Sequence, residues 1–275
     1  MPIDDLPLDR PSPPVPPSAP PASSSPWRWV VVGAGGLLAG ALLTFWWMSR
    51  AQPPTGTPAP TEATDVAVAS KRPQRQFISL PSLETSDSLL ADLVSGLSKH
   101  PTLARLLATR GLVHGATLSV VQIGDGRTPA TPLEVLRPAT RLQLAGPSPA
   151  PVTPPSYARW DAAVAALVSV VPADAAQLYV NVKPLFDQAY IELGHPAGDF
   201  DLAIIAAITM LDDAPHRPDE PVLQRRSGGF YEHTDDALKA LPPVQKQFLL
   251  IGPENRRKVL AWLHAFAGNL DLPLR

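Results

Sequence analysis

Cysteine is absent from this sequence of 275 residues, and its absence removes several kinds of chemistry. Without thiols the chain forms no disulfide, binds no metal through thiolate and has no cysteine nucleophile. The sequence also contains no HExxH and no G-x-S-x-G motif, which are signatures of metalloproteases and of serine hydrolases. The sequence therefore predicts no catalytic residue, no cofactor and no metal ligand, and the folded part must be held together by its apolar core.

An excess of basic residues is absent as well. The formal net charge is −2, and Lys and Arg are scattered along the chain. Nucleic-acid binding needs a basic patch or stripe that neutralises phosphates. Nucleic acid is therefore not expected among the partners.

One long hydrophobic run is present near the N-terminus. Residues 29–48 carry no charge and are bounded by Arg28 and Arg50. Twenty helical residues span about 30 Å, the thickness of the bilayer hydrocarbon core. Tryptophan stands at both ends of the run, where its ring favours the headgroup level. The run therefore predicts a single transmembrane helix and makes the lipid bilayer a partner.

The charges that flank this helix predict its orientation. Arg10 and Arg28 precede it and only Arg50 follows closely, so the positive-inside rule places the N-terminus in the cytoplasm. The remainder would then lie outside the bacterial inner membrane, in the periplasm. Gly36 and Gly40 form a GxxxG pair, and a weak homodimer through this face is an alternative that the sequence leaves open.

Proline divides the chain into segments. It supplies 35 residues, many of them before residue 77. Residues 1–28 have too few large apolar side chains to offset the entropy of ordering, so a disordered cytoplasmic tail is expected. Residues 49–76 repeat this composition and predict a semi-extended linker. Residues 77–275 are rich in Leu, Ala and Val and are expected to form one compact soluble domain.

Apolar periodicity predicts that this domain is mainly α, with several helices around one core. Residues 112–123 fit either a helix or a strand, because β-branched side chains coincide with helical spacing; helix is the preferred reading. Residues 222–231, with two glycines, indicate a short hairpin or strand. Residues 128–155 predict a long proline-rich connection. The other predicted helices cover residues 86–97, 102–108, 160–171, 173–193, 200–211, 244–251 and 253–267.

The densest group of acids and histidines surrounds the predicted helix 200–211, and it has two interpretations. Its members could bind a metal if the helix folded back, but loop acids beside a helix N-terminus ordinarily cap it, and capping is favoured. A second polar group, at 231–235, is likewise read as a helix entry. The first group comprises His195, Asp199, Asp201, Asp212, Asp213 and His216.

Three stretches resemble a bacterial family catalogued as domain of unknown function 3014, and the likeness spans residues 80–266. They are Leu80-Pro81-Ser82-Leu83 through Asp87, Pro184-Leu185-Phe186 through Gly194, and Gln245-Lys246 through Asn255. The resemblance implies an inner-membrane protein with a cytoplasmic tail, one helix and a soluble domain outside, and it implies no activity. The chain departs from the family pattern at Asp201-Leu202-Ala203, where members show Asn-Asp-Arg, and at Leu250-Ile251, where members place an Arg.

The residues that match the family pattern are candidates for a polar network or an interaction face: Tyr190, Tyr231, Glu232, Asp235, Gln245, Lys246, Glu254 and Asn255. The leading expectation is a non-enzymatic envelope protein whose tethered domain binds a protein partner. The alternative is an envelope hydrolase or a metal-dependent enzyme that uses the acids and histidines between His195 and Asp235. Stoichiometric zinc or manganese in the purified protein would favour that alternative.

Overall fold

The computed structural model describes residues 72–195, 198–216 and 221–274. The predicted tail, the predicted transmembrane helix 29–48 with Gly36 and Gly40, and the linker as far as Lys71 lie outside these residues. In the described part, no single helix is long and apolar enough to cross a membrane. Two sharply bent helix pairs, 101–124 and 161–192, reach that length and composition only when each pair is taken together.

The described residues form a mainly helical structure with one small sheet, as the periodicity predicts. Short 3-10 turns at Leu83–Thr85 and Glu134–Leu136 accompany the α-helices. The helices are α1 (Asp87–Leu97), α2 (Pro101–Leu107), α3 (Leu112–Gly124), α4 (Pro154–Ala158), α5 (Asp161–Val168), α6 (Pro172–Glu192), α7 (Phe200–Asp212), α8 (Asp236–Lys239), α9 (Pro243–Leu249) and α10 (Pro253–Asn269). The strands are β1 (Ala150–Pro151), β2 (Val222–Arg225) and β3 (Tyr231–His233).

Helices α3, α6, α7 and α10 form the centre of the structure. Helix α3 packs on α7 and α6, and α10 packs on α6. Aromatic rings of α6 and α7 meet in the core, where Phe186 stacks on Phe200 at a centroid distance of 5.3 Å. Phe200 and Ile208 of α7 are each only 2% exposed, so the apolar stripe of this helix supplies much of the burial.

Helix α3 resolves the ambiguous segment 112–123 in favour of the helix. Its N-terminus is capped from another element: the Asp87 carboxylate accepts hydrogen bonds from the backbone N–H groups of Gly111 (2.6 Å) and Leu112 (2.8 Å). This cap satisfies donors that a helix start otherwise leaves open. The Thr117 hydroxyl donates to the carbonyl of Val113 at 2.8 Å within the helix, so this β-branched residue is accommodated.

The sheet contains the predicted hairpin. Strand β2 lies between β1 and β3, both antiparallel to it, with Ala150 opposite Leu223 and Leu223 opposite His233. The prediction for 222–231 is confirmed as a hairpin, but Gly228 and Gly229 lie in its turn and not inside a strand. Their φ values of +97° and +82° are ones that side chains rarely adopt. Strand β1 comes from the proline-rich connection, where no strand was predicted.

Helix α4 also lies in this connection and was not predicted. Pro154 begins it, at a position where the missing N–H costs nothing. The ring of Tyr157 covers Gly252, and a Cβ at position 252 would lie 2.7 Å from Tyr157 Cγ. Ser156 connects α4 to Gln143 by two hydrogen bonds. The Ser156 hydroxyl accepts from the backbone N–H of Gln143 (2.7 Å) and donates to the carbonyl of Gln143 (2.8 Å).

Candidate functional site

A network of charged side chains surrounds Asp201 at the start of α7. Asp201 is 8% exposed. One of its carboxylate oxygens accepts a hydrogen bond from the Tyr179 hydroxyl at 2.5 Å, and the other lies 2.7 Å from the Arg72 guanidinium. Tyr179 belongs to α6, whereas Arg72 precedes every helix of the described residues. A single carboxylate thus joins the beginning of the described chain to two central helices.

Lys183 joins two further carboxylates to this network. Its ammonium group lies 2.7 Å from Asp187, one turn away on α6, 3.0 Å from Asp199 and 3.7 Å from Asp201. Tyr179, Lys183 and Asp187 follow each other at intervals of four residues, which places them on one face of α6. We call the set Arg72, Tyr179, Lys183, Asp187, Asp199 and Asp201 the Asp201 cluster.

Two carboxylates of the cluster cap α7. Asp199 accepts a hydrogen bond from the backbone N–H of Asp201 (3.1 Å), and Asp187 accepts one from the N–H of Phe200 (3.0 Å). Negative charge is favourable at a helix N-terminus because unpaired N–H groups and the dipole point there. The preferred reading of the acids before this helix as caps is therefore confirmed at Asp199.

The surroundings shift the pKa values of three cluster members, Tyr179, Lys183 and Asp199, in the direction that keeps each in its present charge state. Burial and the hydrogen bond to Asp201 raise the pKa of Tyr179 well above its ordinary value, so the phenol stays protonated and donates. Burial works against the charge of Lys183, but its hydrogen bonds to Asp187 and Asp199 and the nearby carboxylate charges together outweigh burial, so its pKa is raised. The hydrogen bond from Lys183 lowers the pKa of Asp199.

The charged groups of the cluster bond to one another and so form an internally satisfied ion network. Its three carboxylates face two cations and a phenol, and each carboxylate also bonds to backbone or cation at 3.1 Å or less. Such groups hold each other in place. In the described residues, no group of three or more His, Asp or Glu side chains is arranged to hold a metal.

Two of the other acids and histidines around α7, His195 and Asp212, form local pairs. The ring of His195 stacks on Tyr190 at 4.2 Å. Asp212 lies 2.8 Å from the imidazole of His264 on α10, and Asp213 forms the C-terminal cap position of α7. The six residues that the sequence groups together therefore do not form one site. Sequence reasoning missed Arg72, Tyr179, Lys183 and Asp187. The four-residue spacing on α6 could have indicated the last three, whereas no local signal indicates Arg72.

Two of the family-matching candidates are buried and hold helices together. Gln245 is 4% exposed and donates to the carbonyl of Met210 at 2.8 Å. Asn255 is 5% exposed and donates to Asp161 at 2.8 Å and to the carbonyl of Ile251 at 3.1 Å. These contacts connect α9 to α7 and α10 to α5, so both side chains have internal partners.

The remaining candidates lie in different settings. Tyr190 is half-buried on α6 and meets Phe200 edge-on at 5.8 Å. Asp235 caps α8 by accepting from the N–H groups of Ala237 (2.8 Å) and Leu238 (3.3 Å). Lys246 is half-buried on α9. Glu254 is exposed and pairs with Arg257 at 2.6 Å and with Lys258 at 3.5 Å.

Tyr231 and Glu232 lie on the hairpin, at its exposed end. Tyr231 is 40% exposed, and its neighbour Phe230 is 76% exposed. Arg225 and Arg226 are exposed across the turn, and Glu232 lies 3.2 Å from Arg226. We call residues 225–231 the hairpin tip. Phe230 was missed by sequence reasoning, although the two glycines before it indicate a turn, and turns run over the protein surface.

These observations define the class of protein as a mainly helical domain with a small three-stranded sheet. The chain belongs to the family described as Protein of unknown function (DUF3014), whose family model matches residues 112–267. The suspected family is thus confirmed over a shorter range than the likeness suggested, because the Leu80-Pro81-Ser82-Leu83 stretch lies before the match. No curated protein and no solved structure matches the chain.

Proposed function

We propose that this chain is a bacterial inner-membrane protein whose periplasmic helical domain binds a protein partner and catalyses no reaction. The uncharged segment 29–48 with flanking tryptophans supports the anchor. Arg10 and Arg28 before that segment support a cytoplasmic N-terminus. The hairpin tip is the surface on which we place the partner.

The observation that carries this proposal is the combination of exposed aromatic rings and arginines at the hairpin tip. Phe230 and Tyr231 are 76% and 40% exposed, and Arg225 and Arg226 are exposed beside them. Aromatic residues and arginine dominate the binding energy of protein interfaces. A solvated phenylalanine gains most by transfer to an apolar pocket, roughly 1.5–3 kcal/mol for full burial.

The other candidate polar groups already bond to partners inside the domain, and this supports the hairpin tip as the binding surface. The carboxylates of the Asp201 cluster are held by Lys183, Arg72 and Tyr179, and the buried candidates Gln245 and Asn255 bond to carbonyls and to Asp161. A partner that competed for these groups would have to break existing bonds. The exposed rings of Phe230 and Tyr231 at the hairpin tip can be contacted without breaking such buried bonds.

A photo-crosslinking phenylalanine analogue at position 230 of the full-length protein, in native membranes, tests the partner. Phe77 is 98% exposed, so the same analogue at position 77 is a matched control. We expect a discrete protein adduct from position 230 and none from position 77. Equal adduct patterns from the two positions would contradict the assignment of the hairpin tip.

Localisation is tested separately. Alkaline phosphatase fused after Arg275 is active only outside the cytoplasm, so an active fusion is expected. An inactive fusion at normal expression would place the domain in the cytoplasm and overturn the envelope assignment without affecting the crosslinking result.

A further inference from the structure

Two residues that lie opposite each other anchor the β2–β3 hairpin in the domain. Within the two strands, only Leu223 and His233 are buried, at 1% and 4% exposure, and the register pairs them with each other. The other strand residues are exposed or half-buried. One of the two anchoring side chains can therefore take up a proton, whereas the other cannot.

Strand β3 is the edge strand of the sheet, with β2 as its neighbour on one side. The N–H of Thr234 donates to the carbonyl of Val222 at 3.0 Å, so these two residues form a hydrogen-bonded pair. Bonded pairs alternate with non-bonded pairs in an antiparallel ladder, and the backbone groups of His233 therefore point away from β2. Strand β3 thus keeps its place through a short ladder to β2 and through the burial of its histidine.

The imidazole of His233 is buried without a hydrogen bond. Among the described residues, neither Nδ1 nor Nε2 has a partner. A neutral imidazole carries one donor and one acceptor, and both lose the hydrogen bonds that water would supply. A protonated ring would leave two donors unsatisfied and would also bury a charge, which costs more. Moving the ring into water restores these bonds and solvates the charge, so protonation favours a state in which β3 has left its place.

The charges around His233 do not offset this cost. Burial lowers the pKa of His233 most, the charge of Lys246 on α9 lowers it further, and Asp235 at the start of α8 raises it. Asp235 is engaged as the cap of α8. The charged residues of α8 itself, Asp236 and Lys239, pair with each other at 2.7 Å, and β2 opposes the imidazole with an apolar side chain. The ring therefore binds a proton more readily when β3 is released than when it is in place.

From this geometry we infer that His233 is a proton-sensitive anchor, whose protonation releases β3 from the domain and withdraws the hairpin tip from its binding position. A released histidine titrates near pH 6.5, so acid does not affect the opening of β3 well above that pH. Below it, the opening constant should rise by up to about tenfold for each pH unit, until the pH reaches the pKa of the buried ring. The loss of partner binding rests on the proposed function of the hairpin tip, whereas the opening itself does not.

Amide hydrogen exchange of the full-length protein at pH 7.5 and 5.5, corrected for the intrinsic pH dependence of exchange, tests the opening. Peptides that cover residues 231–235 should exchange severalfold faster at pH 5.5, up to about tenfold, and peptides of α6 should not. His233→Gln and His233→Phe take up no proton and should show no rise; the phenylalanine fills the buried position with a ring if the glutamine variant does not fold. Unchanged rates in the native protein, or an equal rise in α6 or in a folded variant, would overturn the inference.

The consequence for the partner is measured with the photo-crosslinking analogue at position 230. The adduct should decrease severalfold between pH 7.5 and 5.5 in the native protein and stay constant in His233→Phe. An adduct that is undiminished at pH 5.5 would overturn the release of the partner. If no adduct forms at either pH, the proposed function of the hairpin tip fails, and hydrogen exchange still decides whether His233 controls the opening of β3.

Discussion

The α6–α7 junction and the β2–β3 hairpin use charge in opposite ways. At the junction, Asp201 is 8% exposed and is shared by a phenol, a guanidinium and an ammonium group. At the hairpin tip, Arg226 is an exposed residue that pairs with one glutamate at 3.2 Å, and Phe230 is 76% exposed. Buried, multiply bonded charges cost much when broken, whereas exposed pairs contribute little. The junction therefore holds the fold, and the hairpin is free to change its contacts.

The largest effect should come from Asp201→Ala. It leaves the buried Tyr179 hydroxyl without its acceptor and removes a counter-charge from Lys183 and Arg72, so we expect a loss of about 3 kcal/mol in the free energy of unfolding. Urea titration followed by circular dichroism measures it. Asp213→Ala, at the exposed other end of α7, should cost less than about 0.5 kcal/mol; equal losses for the two variants would refute the special role of the junction.

A smaller effect should follow from removing the segment that carries Arg72. A fragment of residues 77–275 lacks the Arg72 contact, the bond from the Gln76 N–H to Asn181 (2.8 Å) and the bond from Gln177 to the Gln74 carbonyl (3.0 Å). We expect it to fold but to be about 2 kcal/mol less stable than a fragment of residues 70–275, allowing for the entropy of ordering.

The comparison of the two fragments by urea titration has a built-in control. Arg72→Ala in the longer fragment should give only part of the difference, because the two backbone contacts remain. Identical midpoints for both fragments would mean that residues 72–76 contribute nothing to stability.

At the base of the hairpin, pH should have a measurable effect. His233 is 4% exposed, and burial, with the nearby charge of Lys246, lowers its pKa below the usual 6.5. The unfolded chain then binds a proton at a higher pH than the folded chain. Stability is therefore complete above about pH 6.5 and declines as the pH falls towards the folded-state pKa. His233→Gln should flatten this decline in unfolding measured from pH 7.5 to 5; an unchanged slope would assign it to other groups.

The smallest effect on stability should come from Phe230→Ala. The ring is mostly solvated, so the free energy of unfolding should change by less than about 0.5 kcal/mol. Partner crosslinking from the same phenylalanine analogue, placed instead at position 231, should nevertheless be lost in this variant, which separates binding from folding. A loss above 1 kcal/mol would show that the ring supports the fold.

The helices could be predicted where periodicity and end signals agree. Pro253 and Gly194 delimit helices as expected, with Pro253 as the first residue of α10 and Gly194 at φ +95° after α6. The short helix α4 was missed because two adjacent prolines suggest irregular chain, although Pro154 fits a first turn. Strand β1 is two residues long and is defined only by its pairing with β2, which no local pattern reveals.

The candidate sites depended more on tertiary structure. Asp199 could be read as a cap because capping is local. The contact of Asp201 with Arg72 could not be found, because Arg72 lies more than a hundred residues away along the chain and burial has no local signature. For the same reason, Gln245 and Asn255 resembled interaction residues in sequence, whereas in the structure they bond to internal partners.

The contact between Gly252 and Tyr157 leaves no room for a side chain at the start of α10 and connects this point, through α4 and β1, to the hairpin. Any side chain at position 252 would have to push the Tyr157 ring, and α4 with it, outwards. Helix α4 follows β1 after only two residues and is fastened to residue 143 through Ser156. Since β1 pairs with β2, the displacement would tilt the whole sheet. A substitution remote from the hairpin tip could thus re-aim Phe230 while leaving its own surroundings intact.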